Sequence, residues 1–280
     1  VNRPRPTSED HDVTDWVYRL VVRTALGLFR VLGFRFTIEG EEHVPEVGGA
    51  VVVSNHVSYF DFMFVGLATR PHHRLVRFMA KKSIFDNPVS GPLMRGMHHI
   101  PVDRGAGASA YAAAVEALRA GELVGVFPES TISRSFQLRE IKSGAARMAI
   151  EAGVPVLPIV TWGGQRVWTS GHKPEWHRKV PVTLRIGAPI PVTPETTAAS
   201  LTEAVRTTLV ELIREVQRDY PAPLPGTPDW WQPAYLGGSA PTPDAAREIE
   251  EAAAAGKLER RARKAERRAA KAQRRAGRRG

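Results

Sequence analysis

Between residues 34 and 186, short runs rich in valine, isoleucine and leucine alternate with segments of helical period, and this alternation narrows the possible folds more than any other feature. Residues 36–38, 50–53, 76–79, 100–102, 123–127, 156–160 and 182–186 read as strands. Helical readings fall between them at 60–68, 108–119 and 143–152. Strand and helix in turn predict an α/β fold, a largely parallel central sheet flanked by helices. In such a fold the reactive groups sit in loops at the carboxyl ends of strands. A further helix at 201–220 places Leu201, Val205, Leu209, Ile213 and Val216 on one face, which reads as core packing.

Four regions follow: an N-terminal amphipathic, membrane-associating helix in 1–33, a catalytic domain at 34–220, an irregular Pro/Trp-rich segment at 221–243, and a basic, Ala/Arg-rich helical tail at 244–280 interrupted by Gly256. In the first helix Arg19, Arg23 and Arg30 fall within about 40° of one another, opposite a broad apolar arc. Such a helix lies either in a membrane interface, inserting Val21, Leu28, Phe29 and Leu32, or against the domain, and composition does not choose. The pair Trp230-Trp231 reads either as an interfacial anchor or as packing.

The formal charge of +10 misrepresents the body of the chain. Residues 257–280 hold twelve Lys or Arg against two Glu, so the whole excess lies in the tail. A basic tail attracts polyanions, and the apolar N-terminal helix favours an anionic membrane surface over nucleic acid as the partner. No apolar run reaches about 18 residues, and the first fifteen residues are polar and unlike a secretory signal. The expectation is a peripheral or monotopic protein on the cytoplasmic face of the cell membrane. The sequence contains no cysteine, which excludes disulfides, thiolate nucleophiles and cysteine-ligated zinc.

The candidate chemistry begins at SNHVSYFD, residues 54–61, directly after the apolar run 50–53. A histidine oriented by a carboxylate is a general base. His56 and Asp61 have the spacing for it if a helix begins near Ser58. The alternative is a capping or buried His–Asp pair. Neither Ser54 nor Ser58 sits in a Gly-x-Ser-x-Gly elbow, so the hydroxyl to be activated can belong to the substrate.

Three further stretches extend this pattern: GMHHIPVDR at 96–104, VFPESTISRS at 126–135 and VPVLPI at 154–159. With NHVSYFD, in this order, they resemble the four blocks of the glycerolipid acyltransferase superfamily, and within it the bacterial 1-acyl-glycerol-3-phosphate acyltransferases. The resemblance spans residues 39–191 and implies an O-acyltransferase of phospholipid biosynthesis. His56, oriented by Asp61, would deprotonate the free hydroxyl of lysophosphatidic acid, which attacks the acyl thioester of acyl-CoA or acyl carrier protein. The donor is a substrate, and no cofactor or metal is implied. The adjacent histidines His72-His73 and His98-His99 lack further ligands at metal spacing.

The resemblance also implies substrate-binding roles. Asn55 precedes the histidine of the first block and would fix the local turn. Arg104 matches the position used near the acceptor phosphate, where a guanidinium suits bidentate contacts. Glu129 would position the acceptor or a basic side chain, or else form a strand-end salt bridge. Lys81 and Lys82 either contact the phosphate or face water. The family's commonest third block has glycine after the glutamate and arginine three residues after it. Here Ser130 and Ile132 stand in those places, and Arg134 is the candidate substitute. Rival readings are another acceptor, namely glycerol-3-phosphate, a lysophospholipid or a glycolipid, or a non-catalytic polyanion-binding protein.

Overall fold

The computed structural model describes residues 15–276 apart from 104, 106, 177 and 223–226. It contains a seven-stranded sheet of order β1-β7-β6-β2-β5-β3-β4. The strands are β1 (Arg35–Glu39), β2 (Ala50–Ser54), β3 (Val76–Lys81), β4 (Ile100–Val102), β5 (Leu123–Val126), β6 (Val156–Trp162) and β7 (Pro181–Ile186). Every neighbouring pair is parallel except β6 and β7, which run antiparallel. The helices α1 (Trp16–Leu32), α2 (Asp61–Ala68), α3 (Lys82–Phe85), α4 (Ser90–Gly96), α5 (Gly107–Arg119), α6 (Gly144–Ala152) and α7 (Ala198–Asp219) accompany it. The fold is the expected α/β arrangement. The short helices α3 and α4 are additions to the sequence reading.

The sequence dictates that β2 lies deep in the sheet. All five of its residues are buried, as a strand covered on both faces requires, and it pairs with β5 on one side and β6 on the other. Opposite Val52, in β5, stands Gly125. A Cβ at Gly125 would come within 2.6 Å of the Phe78 ring and of Val76, so only glycine fits.

Helix α1 packs one face on the domain. Phe29 is 3% exposed and lies among Phe34, Phe36, Phe60 and Phe64, at ring separations of 5.3 to 6.2 Å. Its place in an inserting face is therefore corrected: at the helical period it shares a face with Tyr18 and Ala25, which also point inward. The Tyr18 hydroxyl donates to the Val76 carbonyl at 3.0 Å, and Arg77 reaches Asp15 and Glu122. The outer face carries Trp16, Leu20, Leu28 and Val31, all exposed, beside the stripe of Arg19, Arg23 and Arg30. Among the described residues no helix is long and apolar enough to cross a membrane.

Arg134–Gln137 and the residues from Pro228 onward form a second compact unit. Within it Trp231 is buried with its indole N–H on the Pro228 carbonyl, and Trp230 packs on Phe136. The helix α8 (Pro243–Ala276) continues through Gly256 without the predicted interruption. One glycine costs a helix about 1 kcal/mol, which a long alanine-rich neighbourhood offsets.

Candidate active site

His56 leaves the carboxyl end of β2, and Asp61 is the first residue of α2. The turn between them folds onto the carboxylate. Asp61 Oδ2 accepts the backbone N–H groups of Val57 and Ser58, both at 2.7 Å, and lies 2.9 Å from His56 Nδ1. Its Oδ1 accepts the Thr161 hydroxyl at 2.8 Å. The carboxylate is fully buried and meets four donors, three at Oδ2 and one at Oδ1. A carboxylate so held at a helix N-terminus favours the Nδ1–H tautomer of the imidazole, which leaves the lone pair on Nε2. The His56 side chain is 21% exposed.

The ring and backbone of His56 are fixed as well. The imidazole stacks on Phe127, with centroids 4.3 Å apart and planes 21° apart. Its backbone N–H donates to Glu129 Oε1 at 2.7 Å, and its carbonyl accepts the Ser133 N–H at 2.7 Å. The third block thus grips the first by its main chain. Glu129 uses its other oxygen on the Arg139 N–H at 2.9 Å. It thus spends one bond of each oxygen on a backbone donor, while the Arg139 charge acts on it electrostatically.

Asn55 is likewise bonded to main chain. Its amide donates to the Thr161 carbonyl at 3.0 Å and accepts the Thr161 N–H at 2.9 Å, so both ends are committed to β6. It ties β2 to β6 just beyond their last ladder pair, Ser54 with Ile159. The serine hydroxyls are committed too. Ser54 donates to the Asn55 carbonyl, and Ser58 donates to the Trp168 carbonyl at 2.9 Å while accepting the Phe60 N–H.

Lys81 and Lys82 are exposed at the carboxyl end of β3, and Lys82 pairs with Asp103 at 3.1 Å, so its charge is matched by protein. Lys81 pairs in register with Val102, which sets it beside the loop that follows β4. Arg104 belongs to that loop and lies outside the described residues. Ile132 is buried, and Arg134 is half-buried in the second compact unit. Of the two adjacent histidine pairs, His99 is a core residue. It accepts the Phe78 N–H at 3.1 Å, and burial, helped by the Arg77 charge, pushes its pKa down to about 3.

Thr161, Thr169 and Trp168 are the positions missed from sequence. Thr169 donates to the Val57 carbonyl at 2.6 Å, and Thr161 bonds both Asn55 and Asp61. A signal for Thr161 existed: it is the one hydroxyl in a seven-residue strand buried along its whole length.

Two predictions arise here. Ser130 adopts a left-handed backbone, φ 62°, in the place where the superfamily usually has glycine. A left-handed conformation costs a non-glycine residue about 1–2 kcal/mol, against the 0.5–1 kcal/mol by which glycine favours the unfolded chain. Ser130→Gly is expected to raise stability by up to about 1 kcal/mol, read as a higher urea midpoint at unchanged slope.

The second concerns pH. Burial pushes the Glu129 carboxyl up to about 8, against the pull of its two N–H donors and of Arg139. Between the ordinary value of 4.5 and about 8 the folded protein holds a proton that the unfolded chain releases, so stability falls as pH rises through that window. The contribution is fully present below the unfolded value and lost above the folded one. The stability of wild type relative to Glu129→Gln should therefore decline across this range, as urea titrations at its two ends would show.

A family profile described as Acyltransferase matches residues 35–162. A 1-acyl-sn-glycerol-3-phosphate acyltransferase of Bacillus subtilis is 30% identical over 154 residues, covering 55% of this chain and 72% of that protein. One from Limnanthes douglasii is 31% identical over 164 residues, 57% of this chain and 56% of the plant protein, so the match spans little more than half of that relative. The crystal structure of the 1-acyl-sn-glycerophosphate acyltransferase of Thermotoga maritima superimposes with a TM-score of 0.64 at 22% identity, over 77% of this chain and 86% of that one, and shares its fold.

Proposed function

Since the chain belongs to the acyltransferase family, we propose that it moves an acyl group from acyl-CoA or acyl carrier protein to the free hydroxyl of 1-acyl-glycerol-3-phosphate, yielding phosphatidic acid. The observation that carries this reading is the His56–Asp61 pair, built at a strand end with no protein nucleophile beside it. His56 Nε2 takes the proton of the acceptor hydroxyl as its oxygen bonds to the thioester carbonyl carbon. The tetrahedral intermediate collapses with cleavage of the C–S bond, and the imidazolium returns its proton to the departing thiolate. Asp61 stabilises that imidazolium and keeps the ring aimed. The commitment of the Ser54 and Ser58 hydroxyls to backbone carbonyls supports direct transfer without an acyl-enzyme. A thioester is already activated, so this route draws on no cofactor. Arg104 remains the proposed phosphate ligand on its position in the second block.

The test is an acyl-transfer assay on purified protein with both donor types, and with lysophosphatidic acid, glycerol-3-phosphate, a lysophospholipid and a glycolipid as acceptors. Product regiochemistry is determined in each case. The highest kcat/KM is expected with lysophosphatidic acid. Preference for another acceptor would replace the substrate but keep the chemistry, whereas no transfer with any pair would remove the proposal.

The same reading puts the enzyme peripherally on the cytoplasmic face of the membrane, where its amphiphilic substrate resides. The exposed row of Trp16, Leu20, Leu28 and Val31 beside an arginine stripe supports it. Leu20→Glu with Val31→Glu is expected to release the protein from anionic vesicles at low salt, as sedimentation would show. Unchanged binding would mean that α1 does not enter the interface.

A further inference from the structure

A cavity lies away from His56. It is formed by Arg19, Val22 and Arg23 of α1, Gly66 of α2, and Arg70, His73, Arg74 and Leu75 of the turn that follows, and its volume is about 350 Å³. Four arginines and a histidine line it, and no carboxylate does among the described residues. The turn is built to present them. Residues Arg70–His72 form one turn of 3-10 helix, and His73 then takes a left-handed backbone, φ 56°, that reverses the chain. The guanidinium of Arg74 is held by neutral groups alone: the Pro45 carbonyl at 2.6 Å, the Gly48 carbonyl at 2.6 Å and the Gly121 carbonyl at 2.7 Å. The acid that acts on it electrostatically, Glu122, is bonded to Arg77. The side chains of Arg23 and Arg70 make no hydrogen bond or ion pair among the described residues and are exposed.

Like charges gathered around one cavity repel, and an anion bound among them would relieve that repulsion. We propose that this cavity is a binding site for a phosphate anion, as a phospholipid headgroup or as a soluble phosphate. It is distinct from the acceptor site. The carbonyls that hold Arg74 precede β2 and β5, whereas His56 follows β2, and five residues of strand separate the two ends by on the order of 16 Å. A glycerol phosphate with its hydroxyl at His56 cannot span that distance. The exposed apolar row of α1 begins beside Arg23, at Trp16 and Leu20, so acyl chains leaving a bound headgroup would meet apolar surface.

Calorimetry with two probes, dihexanoyl phosphatidylglycerol and inorganic phosphate, tests the proposal on the full chain. The variant is Arg23→Ala with Arg70→Ala, and neither side chain supports the fold through a described bond. The control, Arg178→Ala with Arg214→Ala, removes the same charge outside the cavity and outside the arginine stripe of α1. Wild type and control are expected to bind at least one probe equally, and the cavity variant to bind it roughly tenfold more weakly or worse, with each cation near an anionic group contributing up to about 1 kcal/mol. Binding confined to the lipid probe identifies a headgroup site, and equal binding of inorganic phosphate identifies a soluble anion. If neither probe binds wild type, if the cavity variant binds as wild type does, or if the control loses as much, the cavity is not an anion site.

Discussion

His56→Ala should lower acyl transfer by about 10² to 10⁴ while the protein keeps its fold and its affinity for the acceptor. The expectation rests on how little of the structure depends on the imidazole. The main chain of His56 supplies the bonds to Glu129 and Ser133, and alanine retains both. Only the contact with Asp61 and the stacking on Phe127 are lost, and the ring is already partly exposed. Single-turnover kinetics with saturating donor, set beside thermal melting of the same variant, separates the two effects. Turnover near that of wild type would remove His56 from the mechanism, and a collapse of stability would show that the pair is chiefly structural.

Asp61→Asn should damage both properties. The carboxylate accepts four hydrogen bonds in a fully buried position, three of them on Oδ2. An asparagine can keep one oxygen as acceptor, but its amino group then faces donors at the other. Each buried donor left without an acceptor costs about 1–3 kcal/mol, so a loss of several kcal/mol is expected in urea titration. Activity should fall by up to about 10⁴, because the amide no longer selects the tautomer that places the lone pair on Nε2. The contrast between the variants is diagnostic. Loss of rate alone in the first, and of rate and stability together in the second, is the signature of a base held by a structural carboxylate.

Much of this was legible in the sequence because its causes are local. The run 50–53 announces a strand covered on both faces, and a histidine five residues from an aspartate at a strand end announces a turn that can bring them together. The short helices escaped because α3 is a single turn of four residues and α4, of about two turns, has its period obscured by Gly91 and Pro92. The direction of Phe29 escaped because a helix with apolar residues over most of its circumference does not reveal which part meets protein. The bonds of Asn55 and Glu129 escaped for a different reason. Each is satisfied by a partner distant in sequence, Thr161 and His56 respectively, and one chain read alone carries no sign of which distant donor a buried amide or carboxylate will meet.

The link from β2 to β6 also bears on when the enzyme can first act. Thr161 is 106 residues from Asn55 and 100 from Asp61. A chain growing from the ribosome therefore carries its histidine and aspartate long before it carries the residue that anchors both. Until β6 has emerged and docked, the edge of β2 lacks a neighbour, the amide of Asn55 has no partner, and the carboxylate that aims the imidazole is one donor short. Catalytic competence is thus deferred to a late stage of synthesis, and an unfinished chain is denied the geometry that aims the imidazole.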